Sequence, residues 1–195
     1  MLRRTVLLSL AGSAAVLAGC AESKPQFKAV DITGADYAKD FALADTDGRM
    51  RSIKDFAGKA VVVFFGYTQC PDACPVTLAE IAQAKKLLGP DGDKVQGVLI
   101  TVDPERDTPE ILKAYVANFG TDFVALRGTP EQTAAVAKDF KVFYKRVEGK
   151  QPGSYFMDHS AASYVYDPQG RLRLYTRYGS GAQALADDLK LLLKA

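Results

Sequence analysis

The chain has 195 residues, 48% of them hydrophobic, and its 25 lysines and arginines nearly balance its 23 aspartates and glutamates. This length suits a single domain with a proper core. The balanced charge gives no reason to expect a nucleic acid or an anionic surface as a partner.

The N-terminal segment has the pattern of an export signal. Arg3 and Arg4 precede a short apolar stretch, residues 5–16, which is too short to cross a bilayer as a helix. Leu17-Ala18-Gly19-Cys20 follows directly and resembles the lipobox of bacterial lipoproteins, in which the cysteine is lipidated and becomes the first residue. We therefore expect residues 1–19 to be a signal peptide. Cys20 would then hold the protein on the periplasmic or extracytoplasmic face of a bacterial membrane.

The next segment, residues 20–39, is polar and lacks a continuous apolar run. It is expected to be a flexible tether before a folded domain at residues 40–195. Removal of residues 1–19 takes away two arginines and no acidic residue, which leaves 23 basic and 23 acidic side chains. Because lipidation would consume Cys20, Cys70 and Cys74 would remain as a pair. Such a pair could form a disulfide, a redox couple or a metal site.

From residue 41 onward the pattern alternates between strands and helices. Residues 60–65 are β-branched and aromatic almost throughout, as in a central strand buried on both faces. Thr108-Pro109 and Thr129-Pro130 each place a capping hydroxyl before a proline that can open a helix. Strands are predicted at 41–45, 50–53, 60–65, 95–102, 123–126, 142–147, 163–166 and 172–176, and helices at 76–88, from 109, from 130 and at 182–193. Helices between parallel strands, with hairpins at the edges, predict an α/β sandwich.

Candidate chemistry concentrates at residues 66–75, between the end of a buried strand and the start of a helix, the usual crevice for sites in open α/β sheets. If Pro75 takes the first helical position, Cys74 lies at the helix cap, where unpaired N–H groups would lower its thiol pKa. Two cysteines four positions apart can converge on one soft ion, whereas thioredoxin-type dithiols have two intervening residues. A structural disulfide remains open, although so short a loop constrains the unfolded chain little.

His159 is the only histidine in the chain and precedes the predicted strand at 163–166. Taken alone, a single histidine is more often a structural or surface residue than a ligand. In a thioredoxin-like topology, however, the loop entering this strand faces the cysteine loop. Oxidoreductases of that fold place a cis-proline there, and residues 158–162 contain no proline. With Cys70 and Cys74 the imidazole would form a thiolate-rich set that suits Cu(I) and can serve Cu(II). A structural zinc site would want a fourth ligand, which no further Cys or His supplies.

Three motifs accompany the lipobox: GYTxCPDxCP at 66–75, TVDPERDTP at 101–109 and DHS at 158–160. Together they resemble the Sco/SenC family over the chain from about residue 41 onward. The resemblance implies a thioredoxin-like fold and copper held by Cys70, Cys74 and His159. It also implies delivery of copper to the binuclear copper centre of a respiratory cytochrome c oxidase, with other periplasmic copper chaperones or thiol reductases as further partners. Members of that family often carry a membrane-spanning helix where this chain has a lipobox.

Two functions of different class remain open from the sequence. A metallochaperone would bind copper and release it by ligand exchange, without turnover. A thiol-disulfide oxidoreductase or thiol peroxidase would instead attack with Cys70 or Cys74 and resolve with the other. Copper delivery is favoured, because the enzyme has no need of His159. Residues 103–109 have no assigned chemical step; we expect them to shape the loop beside the metal site, with partner docking as the alternative.

Overall fold

The computed structural model describes residues 25–194, so the predicted signal peptide and Cys20 lie outside the described residues. Within residues 25–194, no helix is both long enough and apolar enough to cross a membrane. The strands are β1 (Val30–Asp31), β2 (Leu43–Asp45), β3 (Met50–Arg51), β4 (Ala60–Gly66), β5 (Val95–Thr101), β6 (Val124–Arg127), β7 (Tyr144–Glu148), β8 (Tyr155–His159), β9 (Ser163–Tyr166) and β10 (Leu172–Thr176). The helices are α1 (Ala73–Leu87), α2 (Pro109–Ala117), α3 (Pro130–Asp139) and α4 (Ala182–Leu192), with short 3-10 helices at Ile53–Phe56 and Gly89–Lys94.

Eight strands form one mixed sheet in the order β1-β10-β9-β4-β5-β6-β2-β3. The strands β4, β5 and β6 are parallel, and β9 pairs antiparallel with the other side of β4. Every residue of β4 and β5 is buried, as expected for central strands covered on both faces. The predicted α/β architecture is therefore confirmed, and the chain leaves the centre of the sheet at Gly66, directly before the two cysteines.

Two helices begin at the residues that the sequence indicated. The Thr108 hydroxyl accepts a hydrogen bond from the Ile111 N–H at the start of α2. At the start of α3, Thr129 and Gln132 bond each other's backbone N–H groups in a capping box. These caps are local, which is why the sequence alone predicted them.

The sequence pattern had placed the start of the folded domain at residue 40. In the structure, residues 28–38 already belong to it. The strand β1 pairs with β10, and the N–H groups of Lys28 and Ala29 donate to the Asp188 carboxylate on α4 at 2.7 and 2.8 Å. Ala38 is fully buried, and its carbonyl accepts a hydrogen bond from the Tyr166 hydroxyl. Backbone pairing, polar contacts and the packing of isolated apolar side chains such as Phe27 and Ile32 against the core hold this segment, so it needs no continuous apolar run.

The strands β7 and β8 form a separate antiparallel hairpin, and within the described residues no ladder joins it to the main sheet. The sequence predicted β7 but not β8. His159 is the last residue of β8, where it pairs with Tyr144, rather than part of a loop.

Candidate metal centre

Three predicted site residues come together at the end of β4. One sulfur each from Cys70 and Cys74 and a ring nitrogen of His159 all lie within 4.8 Å of one another. The Cys74 Sγ atom is 3.5 Å from His159 Nε2, although the two residues are 85 positions apart in the chain. Cys70 lies on the turn before α1, Cys74 in the first turn of that helix and the histidine on the hairpin, so the fold joins two separate segments at this point.

The site is closed on one side and open on the other. Cys74 is fully buried, whereas Cys70 and His159 are half-buried. Both thiols are free, with no disulfide between them. Two sulfurs and one imidazole nitrogen form a soft donor set that fits copper, and an ion held there could be reached from the side of Cys70 and His159.

The protonation of the two thiols differs from the sequence-based expectation. The helix α1 begins at Ala73 rather than Pro75, so Asp72 is the capping residue and Cys74 lies in the first turn. The Cys74 N–H therefore points to Cys70 Sγ, at 3.4 Å. A hydrogen bond from the Cys74 thiol, assisted by backbone N–H groups, lowers the pKa of Cys70 to about 4. The same hydrogen bond and burial raise the pKa of Cys74, so Cys70 carries the thiolate.

The imidazole of His159 is already oriented as a ligand. Its Nδ1 lies 3.0 Å from the Ser160 carbonyl oxygen, which can only accept, so we assign the ring proton to Nδ1. The unprotonated Nε2 then faces Cys74. Phe64 and Tyr67 pack edge-on against the ring, with centroids 6.0 and 5.8 Å away. These contacts fix both the tautomer and the direction of the nitrogen lone pair.

Gly66 makes room for Cys74, a role that the sequence analysis did not assign. A Cβ atom at residue 66 would lie 2.8 Å from Cys74 Sγ and 2.7 Å from a ring carbon of Phe64. Both side chains are fully buried. A glycine at the end of an otherwise apolar strand was the signal for such a close approach.

The segment 103–109 packs beside the cysteine loop, as expected. Asp107 is fully buried and accepts hydrogen bonds from the Thr68 N–H and hydroxyl, at 3.2 and 2.6 Å, and from the Thr101 hydroxyl. Burial raises the pKa of the Asp107 carboxyl. Asp107 thus links Thr68, two residues before Cys70, to Thr101 at the end of β5 through hydrogen bonds.

Comparison with known proteins gives consistent matches. The family model described as SCO1/SenC matches residues 30–194. The mitochondrial SCO2 homolog of Bos taurus is 37% identical over 153 residues, which cover 77% of this chain and 58% of that protein. A SCO2-like protein of Rickettsia felis is 34% identical over 152 residues, 77% of this chain and 74% of that protein.

Solved structures also match over most of this chain. The structure of Bradyrhizobium japonicum ScoI with copper bound has a TM-score of 0.71 and 39% identity, covering 78% of this chain and 97% of that one. The solution structure of apo Sco1 from Thermus thermophilus has a TM-score of 0.76 and 34% identity, covering 87% and 99%. These matches confirm the predicted thioredoxin-like fold of the described domain.

Proposed function

The chain belongs to the SCO1/SenC family, and on that premise we propose that it is a metallochaperone that delivers copper to the binuclear centre of a respiratory cytochrome c oxidase. The observation that carries the proposal is the convergence of Cys70, Cys74 and His159 within 4.8 Å. Relatives from Bradyrhizobium japonicum and yeast have been solved with copper bound, which supports copper as the cargo.

The geometry also supports release of the ion to a protein partner. The half-buried Cys70 and His159 lie on the accessible side of the site, so cysteines of the oxidase copper-site subunit can replace the donors one at a time. The lowered pKa of Cys70 favours its thiolate and the raised pKa of Cys74 favours its thiol, so we expect copper binding to release a proton mainly from Cys74.

A copper titration of the reduced domain tests the proposal. We expect one copper per chain, and we expect His159→Ala to weaken binding by more than about tenfold because a ligand is lost. The same variant should alter the sulfur-to-Cu(II) charge-transfer spectrum while its two thiols still form a disulfide. Cys70→Ser serves as the control that loses both properties. If His159→Ala binds copper as the parent does, the histidine is not a ligand.

A second candidate function is thiol-disulfide exchange, which the free thiols and the low pKa of Cys70 support. The two functions are compatible, because the cysteines of the receiving subunit must be reduced before they accept copper. A disulfide-reductase assay on the same preparation separates them. If the protein reduces disulfides rapidly and the titration shows no copper binding, thiol-disulfide exchange is the primary function.

We further propose that Cys20 is lipidated and that the domain works on the extracytoplasmic face of a bacterial membrane. The lipobox-like sequence at residues 17–20 supports this assignment. The full chain, expressed in a bacterium, should partition into the detergent phase, and Cys20→Ser should move it to the aqueous phase. Equal partitioning of both proteins would contradict lipidation at this residue.

A further inference from the structure

In the hairpin that carries His159, one face of β8 is turned toward the domain. Tyr155, Met157 and His159 alternate along this strand and therefore share a face, and they are less exposed than Phe156 and Asp158 on the other face. Tyr155 and His159 lie at opposite ends of β8, roughly 13 Å apart at the usual strand rise. The hairpin has no ladder to the main sheet, so contacts along this face, together with the short link from His159 to Ser163 at the start of β9, set the position of His159.

Arg106 makes the most extensive of these contacts. Its Nη1 donates to the Tyr155 carbonyl at 2.8 Å and to Gln69 Oε1 at 3.1 Å, and its guanidinium carbon lies 3.5 Å from the centre of the Tyr155 ring. Its Nε donates to the Asp103 carboxylate at 2.5 Å, and Asp103 accepts from the Tyr155 hydroxyl at 2.9 Å. Gln69 directly precedes Cys70. One side chain therefore bridges β8 and the cysteine loop.

The burial of this cluster makes it stronger than an ordinary surface ion pair. The Asp103 side chain is 3% exposed and the Arg106 side chain 20%. Solvent and salt screen such a pair much less than an exposed one, and the planar guanidinium can stack and donate at the same time. Near the middle of β8, the Met157 backbone also forms a hydrogen bond with the Tyr67 hydroxyl.

We propose that Arg106 is a positioning residue for the metal site, which holds Tyr155 in place and so fixes the distance between His159 and the two cysteines. It contacts none of the three ligands. The inference rests on the proposed copper binding, because this distance matters for function only when one ion joins both segments.

Arg146 provides a matched control on the same tyrosine. Its guanidinium carbon lies 3.8 Å from the Tyr155 ring centre, and it must occupy the opposite face from Arg106 because two groups so close would overlap on one face. Its side chain is 46% exposed and pairs with Glu148 at 2.8 Å and with Glu105 at 3.5 Å, and both glutamate side chains are 67% exposed. Such exposed pairs contribute little, and none reaches the cysteine loop.

The test measures copper affinity by competition with a chelator, together with the Cu(II) spectrum, in Arg106→Gln and Arg146→Gln. We expect Arg106→Gln to weaken binding about tenfold, as loss of a group that orients a ligand does, and to shift the spectrum toward that of His159→Ala. Arg146→Gln should change affinity less than about twofold. In the His159→Ala background, Arg106→Gln should cause no further loss.

The outcomes distinguish this inference from the proposed function. If the parent binds no copper, or His159→Ala has no effect, both fail. If His159→Ala weakens binding but Arg106→Gln behaves like Arg146→Gln, or its effect persists without the histidine, only the role of Arg106 is overturned. Should Arg106→Gln fail to fold, Arg106→Lys keeps the charge and loses the fork of donors. Faster amide hydrogen exchange at 155–159 in that variant than in Arg146→Gln supports the role, and equal exchange overturns it.

Discussion

A fully buried aspartate lies near each end of the central strand β4, on a neighbouring loop or turn, and the two carboxylates are held in different ways. At the start of β4, the turn that follows β9 contains Asp167, which pairs with Arg171 at 2.8 Å and Arg173 at 3.0 Å. Burial opposes its ionisation, but hydrogen bonds from the Arg171 N–H and from both guanidinium groups outweigh burial and keep the pKa of Asp167 below its usual value.

At the metal end of β4, Asp107 has only neutral donors among the described residues, Thr68 and Thr101, and burial raises its pKa. The fold therefore neutralises the buried carboxylate at the end of β4 that is far from the cysteines, but not the one beside them. The turn at the far end is a permanent structural element with a neutralised carboxylate. Beside the cysteine loop the carboxylate has no cationic partner of its own, which keeps the local potential favourable for a metal cation.

The largest expected effect on stability comes from removing Asp167, the carboxylate that is paired with arginines. Asp167→Ala should lower the free energy of unfolding by about 3 kcal/mol, because Arg173 and two backbone N–H groups lose a buried acceptor. Urea unfolding measures the loss. Copper affinity of the folded protein should stay at the parent value, since this turn lies at the opposite end of β4. A loss of affinity in the folded variant would show that the two ends are coupled.

Two glycines extend the comparison between the two ends of β4: Gly66 is its last residue, and Gly58 lies two residues before its start. Gly66→Ala should cost about 1 to 3 kcal/mol through overpacking and should also weaken copper binding, because the new methyl group displaces Cys74 Sγ. Gly58 has a positive φ of 86° and open space around its Cα. Gly58→Ala should therefore cost about 1 kcal/mol through backbone strain and leave copper binding unchanged. Equal copper affinities in the two variants would refute the packing role of Gly66.

The smallest effect is a difference in pH dependence between the two aspartates. The folded pKa of Asp107 is raised, so its contribution to stability is complete below the unfolded value near 3.8 and is lost as pH rises through the folded pKa. Asp107→Asn should thus be less stable than the parent by about 1 kcal/mol at acid pH, and the gap should narrow toward neutral pH.

For Asp167 the sign is reversed. Its folded pKa is lowered, so its contribution is present above the unfolded value and is lost as pH falls through the folded pKa. Unfolding curves across the acid range, recorded for the parent, Asp107→Asn and Asp167→Asn, check both signs. Two gaps that change in the same direction with pH would contradict the contrast.

The sequence predicted those features whose causes are local. Pro109 and Pro130 open helices because the threonine before each can cap its own helix. Residues 60–65 form a buried strand because their side chains are apolar and, apart from the first, β-branched or aromatic. The candidate ligands followed from residue type, spacing and family resemblance.

Features that depend on distant partners could not be predicted. Residues 28 and 29 bond to Asp188, which is 160 positions from Lys28, so a polar segment looked like a tether. The strand β8 has two exposed residues and forms by pairing with β7, so its pattern carried no clear signal. The start of α1 was misplaced because proline is tolerated throughout the first turn of a helix, and this shift moved the thiolate from Cys74 to Cys70.

The separate hairpin has a consequence for the exit of the ion. Two donors lie on the segment from the end of β4 into the first turn of α1, and the third lies on a unit that shares no ladder with the main sheet. Withdrawal of the hairpin would lower the coordination number of copper from three to two without breaking any strand pairing of the core. The position vacated on copper would face the accessible side, where an incoming sulfur could occupy it while the carrier stays folded.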